Sequence, residues 1–76
     1  MRTYSLSESD DMPRVDGEGK NTVLRFIHQN VGTQPVFLPG EVVTFTRPWN
    51  APLTMKIVSH TSVPQYRDIL HTVIGV

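Results

Sequence analysis

His28, His60 and His71 are the side chains of this 76-residue chain best suited to proton transfer or metal ligation. A structural or catalytic zinc site needs three or four ligands brought together, and paired histidines at i, i+4 announce one most clearly. No two of these histidines have that spacing, and the nearest carboxylate is Asp68, three residues before His71. A metal would need the fold to gather the histidines, with a carboxylate or water completing the shell. Neither a metal nor any other cofactor is expected, and the three read as separate strand or surface histidines. Ser59-His60 and Asp68/His71 supply the residue types of a nucleophilic triad. The glycine-flanked serine of a strand-to-helix elbow is missing, however, so no catalytic residue is assigned and the chain is read as a non-enzyme.

The segment "DGEGKNT", Asp16–Thr22, resembles a phosphate loop only in flavour. With Gly19-Lys20 in register, the first glycine of G-x-x-x-x-G-K-[ST] falls on Arg14, and Asn21 stands where Ser or Thr would bind magnesium. A flexible hinge explains it better. Ser5 and Ser7, each three residues ahead of an acid, and the terminal "IGV" are common patterns with little weight as modification or peptide-docking signals.

The elements that hold these residues follow from composition. Lys and Arg number seven, as do Asp and Glu, so the formal net charge is zero. A nucleic-acid binder usually carries a basic excess, and nucleic acid is not an expected partner. No apolar run approaches the roughly 18 residues of a membrane span, and no membrane partner is expected. Ser, Glu and Asp follow Arg2 where a signal peptide needs its apolar segment, so secretion by that route is not expected and a virion or host-cytoplasmic location is. Cysteine is absent, which removes disulfides and thiolate chemistry. A chain this short buries only about 60% of its unfolded surface, so a partner or an efficient core must supply stability.

Residues 1–20 hold five of the seven acidic residues and read as a polar, acidic, extended arm. Residues 21–76 read as a small β domain: Val, Ile and Thr supply 20 of those 56 positions. "TVLRFIHQ", Thr22–Gln29, places Leu24 and Phe26 on one face and Val23 and Ile27 on the other, so both faces are partly apolar. "VFL", Val36–Leu38, reads as a short strand ending at Pro39-Gly40, where a type II turn fits because Pro39 fixes φ and Gly40 accepts a positive one. In "EVVTFTR", Val43 and Phe45 share a face. In "LTMKIVS", Leu53, Met55 and Ile57 alternate with Thr54 and Lys56. After that the pattern is double. Ser62 and Gln65 fit a capping box, with helical spacing through Val63, Tyr66, Ile69, Leu70 and Val73, while "LHTVIGV" reads equally as a strand. The expected fold is a mainly β, small antiparallel sandwich or barrel with an extended N-terminal arm and a short helix from about Pro64 to Leu70.

Such a chain is read as a structural interaction protein that clamps or decorates a larger assembly, as capsid cement, decoration and minor virion proteins do. Its partners would be copies of itself and a larger shell or complex subunit. The candidate contact residues are Arg47, Pro48 and Trp49 in the proline-restrained loop, Val23 and Ile27 on the second face of the first strand, and the arm's Tyr4, Leu6 and Met12. The alternative is a small soluble regulator or inhibitor of phage or mobile-element type whose acidic arm binds a host protein. Deleting residues 1–20 separates the two, because an inhibitor would lose its target while a cement protein would keep an oligomeric core.

Overall fold

A computed structural model describes residues 2–7, 13–17, 21–48 and 50–76. Six strands follow one another: β1 (Arg2–Ser5), β2 (Arg14–Asp16), β3 (Thr22–Gln29), β4 (Val42–Arg47), β5 (Asn50–Gln65) and β6 (Asp68–Gly75). They form one sheet in the order β1-β4-β5-β6-β3-β2, curled into a half-barrel. The sheet is mixed rather than antiparallel throughout, because β1 runs parallel to β4.

β5 makes the curl. Its first half pairs with β4 from Lys56 to Asn50, and its second half pairs with β6 from Ile57 to Gln65. Val58 is the extra residue between Ile57 and Ser59, and such a bulge bends a strand and increases its twist. The turn Leu38–Glu41 sits against this bend. Glu41 N–H donates to Leu38 O at 3.1 Å and Gly40 has φ +89°, as a type II turn requires. Gly40 N–H then donates to Ile57 O, and Ile57 N–H to Glu41 O, each at 2.8 Å. The corner needs a close approach on β6 too. Gly75 is buried there, and a Cβ on it would lie 2.8 Å from Met55 Sδ and 2.9 Å from Lys56 O.

The alternating strands bury one face each. Leu24 and Phe26 of β3, Val43 and Phe45 of β4, Leu53, Met55 and Ile57 of β5, and Val73 of β6 meet inside the curl. Phe37 joins them from the stretch before the turn, which lies outside any strand, contrary to the expectation for Val36–Leu38.

Two expectations are corrected. The described part of the N-terminal arm is not an arm: β1 pairs with β4, β2 pairs with β3, and Leu6 is buried with its N–H donating to Thr46 O at 2.9 Å. Tyr4 and Leu6 alternate like strand residues, and their burial gives the ordering free energy that a solvated polar arm would lack. The helix at Pro64–Leu70 is also absent, and no described residue is helical. β5 runs through Gln65, the chain reverses at Tyr66-Arg67, and β6 begins at Asp68. Ile69, His71, Val73 and Gly75 are buried while their neighbours are half-buried. A helix of about seven residues is marginal alone, whereas the strand form gains a ladder on each side.

Candidate functional site

Cross-strand partners share a face, so the register of β5, β6 and β3 defines what the convex side of the sheet presents. One row is Ser59, Ile74 and Val23; the next is Thr61, Thr72 and Arg25; the third is Val63, Leu70 and Ile27; the last is Gln65, Asp68 and Gln29. Two apolar rows therefore flank a polar one. Val63 is 47% exposed and the other four apolar residues are half-buried. At the bend the same side continues through Val42, Lys56 and Val76, since Val42 is opposite Lys56, which exchanges two backbone hydrogen bonds with Val76. Val42, Val58 and Val76 are all exposed. Arg25 is held by Asp16 at 3.4 Å, and the more exposed Arg14 reaches the same carboxylate at 3.7 Å.

The concave side gathers the histidines that the sequence suggested were separate. His71 lies opposite Phe26 on one side and Ser62 on the other, and His60 lies opposite Val73 one row away. His60 Nε2 and His71 Nδ1 are 2.8 Å apart, and Ser62 Oγ is 3.1 Å from His71 Nδ1 and 3.4 Å from His60 Nε2. The Phe37 backbone N–H donates to His60 Nδ1 at 3.2 Å, which makes that nitrogen an acceptor. Neutral His60 then carries its proton on Nε2 and donates to His71 Nδ1, leaving the proton of His71 on Nε2. His71 is fully buried and its Nε2 has no partner among the described residues. The ring stacks on Phe26 at 4.8 Å, and His28 meets it edge-on at 6.2 Å.

Burial pushes His71 down to about 4, with the neighbouring charges of His60 and His28 adding to the effect, and burial also lowers His60. Both rings are neutral near pH 7. A base with so low a pKa withdraws a proton from a serine hydroxyl poorly. The cluster acts as a polar seam that ties the Phe37 segment to β5 and β6. Among the described residues no group of three or more His, Cys, Asp or Glu is arranged to hold a metal ion.

Tyr4 packs its ring against Phe37 at 5.3 Å and Phe26 at 5.8 Å, so with Leu6 it belongs to the concave core rather than to an outward contact surface. It also borders an open depression of about 480 Å³ with Arg2, His28 and the 33–36 segment. Arg47 ends β4 after a register shift and donates Nε–H to Ala51 O at 3.1 Å, so its guanidinium braces its own loop. Pro48 is exposed. Met12 and Trp49 lie outside the described residues. Val23 and Ile27 are the candidates that share a face with other apolar side chains. Leu70, Ile74 and Val63 complete that face. The sequence pattern hides them, because Val63 and Leu70 also fit helical spacing.

Among the described residues no helix is long and apolar enough to cross a membrane. No protein-family model, no curated protein and no solved structure matches the chain.

Proposed function

We propose that this chain is a non-enzymatic interaction protein that adds to a larger protein assembly through the convex face of β3, β6 and β5, in the manner of a capsid cement or decoration protein. The observation that carries this reading is the pair of apolar rows, Val23–Ile74 and Ile27–Leu70–Val63, standing on the outside of a sheet whose other side already holds the core. Buried apolar area is the main drive for association, at about 25 cal/mol per Å² before the costs of association. The polar row Arg25–Thr72–Thr61 between them gives the face direction as well as adhesion. Formal neutrality leaves little self-repulsion to oppose gathering many copies on one shell.

The test is Ile27→Asp, which places a charge in the wider apolar row and leaves the concave core intact. Sedimentation of the full chain should show wild-type particles larger than a dimer and a variant that stops at smaller species, with the far-ultraviolet spectrum unchanged. Wild-type chain that never exceeds a dimer, or particles indifferent to Ile27→Asp, would count against this surface.

A further inference from the structure

Among the described residues, the second half of β5 is paired along one edge only. The register with β6 fixes which backbone groups face each way. Lys56 and Val76 exchange both hydrogen bonds, at 2.9 and 3.0 Å, whereas Ile57 directs its N–H and C=O away from β6, toward Glu41 and Gly40. Antiparallel pairs alternate between bonded and non-bonded. Counting along β6 from Val76 makes Ile74, Thr72, Leu70 and Asp68 bonded positions. Their partners Ser59, Thr61, Val63 and Gln65 therefore spend their backbone groups on β6. His60 and Ser62 point their N–H and C=O to the opposite edge. Pro64 points there as well, and it has no N–H to leave unsatisfied.

Beside this edge the Phe37 segment contacts β5 through the His60 ring and not through a backbone pair. No described backbone group bonds to His60 or Ser62 across the edge. The stretch Ile57–Gln65, "IVSHTSVPQ", contains no charged residue. Natural edge strands are usually blunted by charge, most often lysine, or by proline. Here only Pro64 does so, at the far end. Val36 and Leu38, at 57% and 63% exposure, flank Phe37 next to the same edge.

We propose that a second copy of this chain pairs with it along the β5 edge, antiparallel, about a two-fold axis at Thr61. With that axis His60 faces Ser62 of the other copy, and each pair exchanges two backbone hydrogen bonds. Both copies thus satisfy every outward N–H and C=O at those positions. Thr61 meets its own equivalent at the closely spaced, non-bonded position, where a pair of β-branched residues is favourable. The uncharged stretch meets itself without like-charge repulsion. Pro64 ends the ladder after Ser62, and the two-fold uses the same edge in both copies, so the contact closes as a dimer and does not extend into a fibre. The pairing uses an edge and the assembly reading uses a face, so either can hold without the other.

A charge placed on the axis tests it, since Thr61 is exposed and its substitution leaves the core untouched. Sedimentation equilibrium of the full chain carrying Ile27→Asp, which blocks the convex face and leaves the edge intact, should give a dimer. Thr61→Lys and Thr61→Glu should each weaken it by about tenfold or more, because like charges then face each other across the axis. Mixing the two variants in equal amounts should restore it. Hydrogen exchange should show the His60 and Ser62 amides protected in the dimer and fast in Thr61→Lys. An Ile27→Asp chain that stays monomeric, a dimer indifferent to Thr61→Lys, or a dimer in which the His60 and Ser62 amides exchange freely would overturn the proposal.

Discussion

His71 shows how a polar residue can be used inside a core this small. Its ring supplies flat area to Phe26, while Nδ1 accepts a hydrogen bond from His60 Nε2–H or Ser62 Oγ–H. The arrangement works only for the neutral form. A proton on His60 Nδ1 would confront the Phe37 N–H, and a charge on His71 would be desolvated. The unfolded histidine titrates near 6.5 and the folded one near 4, so between those values the unfolded chain binds more protons. Stability is therefore complete above about pH 6.5 and falls as the pH drops toward 4. Urea midpoints at pH 7.5 and 5 should differ more for the wild type than for His71→Leu, which cannot titrate and leaves His60 Nε2–H within reach of Ser62 Oγ. Equal pH sensitivity in the two proteins would show that other groups control the acid response.

At the scale of elements, the β5–β6 hairpin decides the site. It sets which residue of β5 faces His71, and it leaves an edge of β5 that no described strand pairs with. Its turn is Gln65-Tyr66-Arg67-Asp68, with Tyr66 at φ +58°. Glycine or asparagine normally marks such a position, and neither occurs in this turn. That is why the hairpin was illegible: Val63, Tyr66, Ile69, Leu70 and Val73 fit helical spacing, while Ile69, His71 and Val73 fit a strand. Without the turn's register, Ser62, His60 and His71 could not be placed together. By contrast, the alternation of Leu24 with Phe26, Val43 with Phe45, and Leu53 with Met55 and Ile57 reads directly as a buried face. The turn itself is strained. A left-handed non-glycine residue costs about 1–2 kcal/mol. The Tyr66 ring offsets part of this by covering the Arg67 guanidinium at 5.3 Å, a contact worth about 0.5 kcal/mol at an exposed site. Tyr66→Asn should thus stabilise the protein by about 0.5 kcal/mol in denaturant unfolding. A loss of stability would mean that the ring contributes more than its exposed position suggests.

For the molecule as a whole, the main revision concerns the N-terminal residues. Their acidity and lack of a sustained period suggest an extended arm, because sequence composition does not reveal that Tyr4 and Leu6 reach a core formed by residues far along the chain. β1 lies on one edge of the sheet and β2 on the other, so the N-terminal segment helps to close both sides of the half-barrel. Removing residues 1–20 would strip both edge strands together with the Tyr4 ring that contacts Phe26, Phe37 and Phe45. The result would be a folding defect, and a loss of partner binding would not report on an arm. Leu6→Ala separates the two cases. A solvated arm would lose almost nothing, whereas a side chain only 4% exposed should cost about 2–3 kcal/mol. That is a large share of the stability of a domain this small. Thermal unfolding followed by circular dichroism should show a clearly lower midpoint for Leu6→Ala and little change for Ser5→Ala, whose side chain is exposed. Equal midpoints for the two variants would return β1 to the status of a loose arm.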